Sequence, residues 1–213
     1  EERMKRLMDS PPVITMPETE QQLRESSLFR DLEAECLEFI IPKFQTRIYS
    51  VGDRFIKENT PSDGIYFIAR GNVRITHGKK DLDILGRGDF IGEIASLTGT
   101  RTADVIAESP VTVFWISAKD LYKAVEKYPS MHDRIWQVGG ERIAENELRS
   151  TPPYDQWKLD QVKSLVKKGT ILPIEDYDSE LVKEKVVILL HGSATAEADN
   201  KKVSGPTMLE AQA

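Results

Sequence analysis

Between residues 47 and 116 the apolar side chains recur with a period of two, in short runs that turn residues separate. This alternation predicts half-buried strands, and four runs carry it, at 65–68, 73–75, 82–84 and 111–115. Turn residues such as glycine, proline, asparagine and aspartate lie between the runs. Short strands with regular turns predict a small antiparallel barrel or jelly roll. One interval, 92–102, departs from this rhythm.

Helical spacing of apolar residues flanks the strand-rich region on both sides. Before it, residues 23–44 are predicted to be helical until Pro42 ends or kinks the run. After it, Ser117 is expected to cap a helix that carries Leu121, and a second helix is predicted at about 130–149. The predicted fold class is therefore α+β, an antiparallel β jelly-roll barrel flanked by N-terminal helices and a C-terminal helix.

Prolines divide the chain into three predicted parts. Residues 1–27 are polar and interrupted by prolines, which predicts an N-terminal arm or linker. Residues 28–150 form the predicted main domain, and the pair Pro152-Pro153 marks its end. The rest, 151–213, is predicted to be a small β-containing extension. Its expected elements are a short helix at 157–165, strands at 169–173 and 186–192, and a mobile polar segment at 193–205.

Composition and charge narrow the function. Hydrophobic residues make up 39% of the 213 residues, and the net charge of -6 argues against a general nucleic-acid binder. The one cysteine, Cys36, is predicted to be core, and it excludes an internal disulfide and a four-cysteine zinc site. The longest aliphatic run, 186–190, is far shorter than the roughly 20 residues of a bilayer span. With Glu1 as the first residue, we expect a soluble piece of a longer, cytosol-facing protein.

The interval that breaks the strand rhythm carries residues suited to a sugar phosphate. Gly92 allows a ligand to approach the backbone closely. The amides of a short helix that begins near Glu93 would point at an anion. Arg101 offers a charged, forked donor for phosphate oxygens. Because the Glu93 carboxylate would repel phosphate, its natural partner is a hydroxyl such as a ribose 2′-OH.

These residues carry a family resemblance. The segment Gly92-Glu93-Ile94-Ala95, followed by Arg101-Thr102-Ala103, resembles the phosphate-binding cassette of the cyclic nucleotide-binding domain family. The segment 64–73 matches the strand, turn and glycine signature of the same family. The resemblance covers residues 28–149, from the leading helices through the barrel to two trailing helices.

The resemblance implies a role for each matching residue. Glu93 would bind the ribose 2′-hydroxyl and Arg101 the cyclic phosphate, with Gly92 at the bend between them and the strand before. Thr102 would permit cGMP as a second ligand beside cAMP. Backbone donors and an apolar wall beside the base complete the implied site, and these are Ile94, Ala95 and Ala103 for the donors and Ile75, Leu82 and Ile84 for the wall.

The last helix of the family acts as a lid over the ligand, and Arg142 falls at a matching position. Gly139 and Gly140 lie in the middle of the corresponding predicted helix. Each glycine costs about 1 kcal/mol relative to alanine. The sequence therefore favours a weak helix whose closed and open forms are close in energy, although close packing against the barrel is an alternative use of the glycines.

Two further segments resemble one class of parent protein. Ile135-Trp136-Gln137, together with His191-Gly192-Ser193-Ala194, is similar to the cytosolic tail of cyclic-nucleotide-domain sodium/proton exchangers, the sperm-specific type above all. That resemblance implies a regulatory region without catalysis or a cofactor of its own. Its partners would be the cyclic nucleotide, the rest of the transporter and a second copy in a homodimer, on the cytosolic side of the plasma membrane of the sperm flagellum.

Three alternatives remain open at this point. A cupin-like metal enzyme would need clustered ligands, whereas His77, His132 and His191 are widely spaced. A transcription regulator would need a helix-turn-helix module after the lid, whereas 151–213 predicts strands and carries eight Lys/Arg against ten Asp/Glu. The regulatory domain of a cyclic-nucleotide-gated or hyperpolarisation-activated channel would share the same sensor.

Overall fold

The computed structural model of the chain describes residues 16–78, 80–172, 186–195 and 202–209. The described residues form two compact units, which divide between Ile135 and Trp136. Some predicted segments lie outside the described residues, namely most of the N-terminal arm, position 173 and positions 196–201.

Two four-stranded antiparallel sheets make up most of the first unit, as the alternating pattern predicts. One sheet has the order β1-β8-β3-β6 and the other β2-β7-β4-β5. The four predicted strand runs all lie in these sheets. The strands are β1 Gln45–Tyr49, β2 Arg54–Ile56, β3 Gly64–Arg70, β4 Val73–His77, β5 Lys80–Leu85, β6 Phe90–Ile91, β7 Asp104–Ala107 and β8 Val111–Ser117.

Both sheets contribute to one apolar core, so the sheets pack face to face. Its fully buried members come from alternate positions of the strands, as the pleat requires. They are Ile56, Tyr66, Ile68, Val73, Ile91, Val105, Ala107, Val111 and Val113. Tyr66 is the member that matters for function, because its hydroxyl is the polar end of an otherwise apolar side chain.

The N-terminal helices differ from the prediction. The helices are α1 Met16–Glu25 and α2 Ala34–Ile40, so one continuous helix over 23–44 is wrong. The Ser26 hydroxyl donates to the Leu23 carbonyl at 2.6 Å, which satisfies an acceptor that a longer helix would have used. Pro17 lies in the first turn of α1, where a missing N–H costs nothing. The predicted arm of 1–27 therefore contains a helix in its described part.

Four further helices follow the order that the sequence predicts. They are α3 Glu93–Thr98, α4 Ala118–Lys127, α5 Pro129–Leu148 and α6 Leu159–Val166. The Ser117 hydroxyl accepts a hydrogen bond from the Asp120 amide at 3.1 Å, so the predicted cap of α4 is confirmed. Cys36 is buried in α2, where burial and the neighbouring Glu33 raise the pKa of its thiol to about 11.

The second unit contains two small antiparallel pairs. They are formed by β9 Val187–Leu189 with β12 Thr207–Leu209, and β10 Ser193–Thr195 with β11 Lys202–Ser204. Residues 169–172 form no strand, contrary to prediction; the Gly169 amide instead donates to the Val166 carbonyl at 2.9 Å and ends α6. The segment expected to be mobile contributes β10 and β11 in its described parts.

Helix α5 continues through both of its glycines, and Gly140 has a packing role. A Cβ on Gly140 would lie 2.6 Å from Ile171 Cδ1 and 3.0 Å from Leu190 Cδ1, both of which belong to the second unit. The glycine therefore lets these side chains approach the helix backbone. Gly140 therefore has a packing role, but toward side chains of the second unit and not toward the barrel, as the alternative from the sequence had it.

We expect Gly140→Ala to change the free energy of unfolding little, because the gain in helix propensity of about 1 kcal/mol offsets the contact with Ile171. Ile171→Val removes the methyl carbon that is in the way. In that background Gly140→Ala should stabilise the chain by about 0.5–1 kcal/mol more than it does alone. Urea denaturation of the four variants measures this coupling, and strictly additive changes would contradict the packing role.

Candidate functional site

The cassette predicted from the sequence forms one continuous structural segment. Strand β6 ends at Ile91, and Gly92 turns the chain into α3 with a φ of 96°. This left-handed backbone conformation suits glycine because it has no Cβ. The helix ends at Gly99, whose φ is 82°. The predicted short helix that begins at Glu93 is therefore confirmed.

The loop before β3 fixes the backbone of the segment that follows α3. The Arg101 amide donates to the Thr60 carbonyl at 2.8 Å, and the Arg101 carbonyl accepts from the Asn59 amide at 2.9 Å. The Ser62 amide donates to the Gly99 carbonyl at 2.9 Å. Arg101 thus uses both its backbone amide and its carbonyl in hydrogen bonds to this loop, although it lies outside the named strands.

The Arg101 side chain is buried, with 3% of its area exposed. Its Nη2 donates to the Asp63 carboxylate and, at 2.7 Å, to the Gly64 carbonyl. Its Nη1 has no hydrogen-bond partner among the described residues and lies against Gly92. A buried cationic donor without a partner costs free energy, so this atom is suited to an anionic ligand.

Asp63 is held by further polar groups. The Tyr66 hydroxyl donates to the second carboxylate oxygen at 2.7 Å, and Arg47 Nη1 lies 3.8 Å from the same oxygen. Burial opposes ionisation of Asp63, but the hydrogen bond from Tyr66 and the pairing with Arg101 outweigh it and keep the pKa of this carboxyl below its usual value. Asp63 is therefore an anion at neutral pH.

The structure brings the other cassette residues together around Arg101. Glu93 is 1% exposed at the start of α3, and Ala95, two residues later, is also buried. Ile94 and Ala103 are half-buried at the two ends of the segment. The amides of the first helical residues have no partner within the helix. The segment therefore combines a cation, backbone donors and a buried carboxylate.

Thr102 is exposed beside Arg101, and its carbonyl lies near the end of β4. His77 Nδ1 is 3.3 Å from the Thr102 carbonyl oxygen and 2.9 Å from the Glu58 carboxylate. The predicted contact of the Thr102 hydroxyl with a ligand stays a prediction.

The three residues of the predicted apolar wall differ in burial and in the face of the sheet that they occupy. Ile75 packs against the core, and Leu82 is half-buried. Ile84 is 63% exposed and pairs with Arg74, whereas Ile75 pairs with Asp83. Since directly paired residues share a face of the sheet, Ile84 and Ile75 lie on opposite faces. The contact of these three residues with a base stays a prediction.

Arg142 lies on α5 in the second unit and is half-buried. Its predicted contact with a ligand stays a prediction.

The site offers groups that bind an anion and a hydroxyl. Among the residues that the structure describes, no three His, Cys, Asp or Glu side chains are placed to hold a metal ion together. None of the described helices combines the length and the apolar character that crossing a bilayer requires.

Sequence reasoning missed Asp63, Tyr66 and Arg47. Asp63 reads as a turn residue in the sequence, and Tyr66 as one apolar position of a strand. Their place in the site depends on the pairing of β3 with β6 and β8, which no local pattern gives. Arg47 stacks on the Trp115 ring, with its guanidinium carbon 3.4 Å from the ring centroid.

Comparison with protein families places a known domain on this site. Residues 46–128 match the family model of the cyclic nucleotide-binding domain. The match includes both sheets and the whole cassette, and it confirms the domain that the sequence resemblance predicts. It ends at residue 128, before α5 and the second unit.

Curated relatives share the region around the site. The chain is 31% identical to the voltage-gated inwardly rectifying potassium channel KCNH6 of Rattus norvegicus over 137 residues, which is 61% of this chain and 14% of the channel. It is 27% identical to a cyclic nucleotide-gated channel of Caenorhabditis elegans over 152 residues, 67% of this chain and 21% of the channel. The chain thus spans only a small part of these relatives.

A solved structure supports the fold. The catabolite activator protein of Thermus thermophilus superposes with a TM-score of 0.53 at 25% identity, over 59% of this chain and 62% of that protein. The predicted combination of an antiparallel jelly roll with flanking helices is confirmed.

Proposed function

We propose, from the premise that residues 46–128 are a cyclic nucleotide-binding domain, that this chain senses cAMP, with cGMP as a second ligand, and regulates a membrane sodium/proton exchanger. The observation that carries the ligand is Nη1 of Arg101, a buried cationic donor that has no hydrogen-bond partner among the described residues and lies beside the bend at Gly92. The cyclic phosphate would bind there, and the ribose 2′-hydroxyl would bind Glu93. The domain acts as a regulatory module without catalysis of its own.

Calorimetric titration of the purified chain with cAMP, cGMP and 5′-AMP tests this function. We expect saturable binding of both cyclic nucleotides, with cAMP the tighter, and much weaker binding of 5′-AMP. The open nucleotide carries an extra charge and lacks the compact cyclic phosphate. Absence of binding by both cyclic nucleotides, in calorimetry and in equilibrium dialysis, would overturn the proposal.

Thr102 is proposed to read the purine base. Its side chain is exposed next to Arg101, and in the proposed binding mode its hydroxyl would reach the amino group of a syn guanine. Thr102→Ala should weaken cGMP binding by about twofold to tenfold, the effect of one neutral hydrogen bond, and cAMP binding less. Thr100→Ala is the matched control, because Thr100 is also exposed in the same segment. Equal losses for the two nucleotides would show that Thr102 does not select the base.

The exchanger is proposed as the parent protein because the two segments that resemble it meet in the second unit. The Trp136 and His191 rings lie with their centroids 6.4 Å apart. The two segments, which are far apart in the sequence, therefore lie next to each other. A second candidate parent, a cyclic-nucleotide-gated or hyperpolarisation-activated cation channel, is favoured by the two relatives described above, which are channels.

The intact transport protein distinguishes the two parents. In cells that express it, photoreleased cAMP should change sodium-dependent proton flux without a membrane current if the parent is an electroneutral exchanger. A cAMP-evoked cation current without proton flux would instead identify a channel. Both readouts belong in the same cell, because cAMP also alters the cell's own transporters, and cells without the protein provide the background.

Helix α5 is proposed to transmit the signal. It begins in the first unit and ends in the second, and its predicted lid residue Arg142 lies in the second half. Ligand contacts made by this helix only in one of its positions would shift the population toward that position. Hydrogen exchange over 138–149, with and without cAMP, should show slower exchange in the bound state.

A further inference from the structure

A histidine at the end of β4 contacts the last part of the cassette. We propose that His77 is a positioning residue, which holds the Arg101-Thr102 end of the cassette and couples nucleotide binding to the uptake of a proton by its ring. This inference rests on the proposed function, because it concerns the same cassette, and it adds regulation by pH to that site.

One ring nitrogen of His77 faces two oxygen atoms. Nδ1 lies 2.9 Å from a carboxylate oxygen of Glu58 and 3.3 Å from the Thr102 carbonyl oxygen. Both oxygens accept hydrogen bonds and neither donates one, so the proton of the neutral ring belongs on Nδ1. Nε2 is then the nitrogen that gains a proton when the ring becomes charged. The His77 side chain is 61% exposed, so solvent can supply this proton.

Glu58 connects the ring to the backbone that holds Arg101. The Glu58 amide donates to the Asp104 carboxylate at 2.7 Å, and the amide of the next residue, Asn59, donates to the Arg101 carbonyl at 2.9 Å. Thr102 lies between these two bonded positions, and its own carbonyl faces the ring. A change at the ring therefore acts on the end of the cassette both directly and through Glu58.

Charged groups of both signs surround the ring, namely Glu58, Asp104, Lys80, Lys57 and Arg54. Of these, Glu58 lies within hydrogen-bond distance of the ring, and its side chain is 18% exposed. Asp104 is already engaged, because the Glu58 amide and the Arg54 guanidinium hold the pKa of its carboxyl below the usual value. Lys80 pairs with His77 in the β4–β5 hairpin and opposes a charge on the ring. Glu58 is therefore the group that stabilises a protonated ring.

The sign of the pH dependence follows from the charge of the ring. Histidine gains its charge as the pH falls from about 8 to about 5, a range in which glutamate is ordinarily ionised. A charged donor forms a stronger hydrogen bond than a neutral one, so protonation tightens both contacts of Nδ1 and fixes the end of the cassette before the nucleotide binds. Affinity for cAMP should therefore rise as the pH falls, and by linkage the binding of cAMP should take up protons.

Calorimetric titration of the whole chain with cAMP at about pH 6 and about pH 8 tests this coupling. We expect binding to be about twofold to fivefold tighter at the lower pH, which is the effect of one partly exposed ion pair. Titrations near neutral pH in two buffers with different heats of ionisation should show the uptake of a fraction of a proton per nucleotide. His77→Gln should bind cAMP with the same affinity at both pH values and without proton uptake.

Two further variants serve as controls. His132→Gln removes a histidine of the same unit that contacts Asp133, and it should keep the pH dependence of the parent chain. Glu58→Gln keeps the ring of His77 and removes the carboxylate, so it should lose most of the proton uptake. Uptake equal to that of the parent chain in folded Glu58→Gln would overturn the positioning role in favour of a long-range effect of charge on the phosphate.

Failure of this inference and failure of the proposed function give different results. Affinity that does not depend on pH, or unchanged proton uptake in folded His77→Gln, would overturn the role of His77 while cAMP still binds. Loss of the pH dependence in His132→Gln would assign it to another part of the chain and overturn the role as well. Absence of cAMP binding at both pH values would instead overturn the proposed function, and this inference with it.

Discussion

Replacing Arg101 with glutamate is expected to weaken cAMP binding by about a hundredfold or more. A charged hydrogen bond is worth about 1.5–3 kcal/mol, and the loss of one lowers affinity by roughly tenfold to 200-fold. The new carboxylate adds repulsion toward the phosphate. It also removes the partner of Asp63, so two carboxylates would share the position that the Arg101–Asp63 pair occupies now.

A second variant guards against loss of the fold. Arg101→Gln keeps a hydrogen-bonding side chain and removes the charge, and we expect it to weaken cAMP binding by about tenfold or more. Arg54→Gln is the matched control, since Arg54 also pairs with an aspartate, Asp104, at 3.0 Å. Circular dichroism and urea denaturation establish that each variant is folded. Parent-like affinity in folded Arg101→Gln would contradict the phosphate site.

The strands and the cassette could be predicted from the sequence because their patterns lie within a few consecutive residues. The period of two over 65–68 and 111–115 depends only on which side chains alternate, and both runs are strands. The sequence also predicts a short helix that begins near Glu93, and α3 begins at that residue. Ser117, three residues before Asp120, predicts the cap that the structure has.

The partner of Arg101 could not be predicted, because the two residues are far apart in the sequence. Asp63 lies 38 residues away along the chain, and only the order and register of the strands bring the two together. A turn composed of proline, serine, aspartate and glycine gives the same pattern whether or not its aspartate meets a cation. An aspartate that pairs with a cation so far away in the sequence leaves no recognisable spacing pattern.

The register of β4 and β5 also determines which face of the sheet each predicted wall residue occupies. The pairing of β4 with β5 shifts between Ile75 and Thr76, so that Ile75 faces Asp83 and Thr76 faces Asp81. A one-residue change of register moves side chains to the other face of a sheet. The alternation at 82–84 therefore predicted a strand correctly, whereas the place of Ile84 in a wall beside the base stays a prediction.

Gly92→Ala is expected to weaken cAMP binding by about tenfold or more, because the new methyl group would occupy the place of the Arg101 guanidinium. A Cβ at Gly92 would overlap Nη1 of Arg101 and lie 2.8 Å from the Gly64 carbonyl oxygen. Either the arginine moves away from its position against α3 or the turn opens. Both changes remove the donor that the phosphate needs, although Arg101 itself is unchanged.

Gly88→Ala separates this steric effect from backbone strain. Gly88 has the same φ of 96° as Gly92, but a Cβ there would meet nothing within 4 Å. A non-glycine residue in a left-handed conformation costs about 1–2 kcal/mol, so both variants should lose similar stability from the backbone alone. Only Gly92→Ala should lose affinity for cAMP, measured by calorimetry below the unfolding temperature of both variants. Equal losses of affinity would mean that strain in the loop, rather than displacement of Arg101, controls the site.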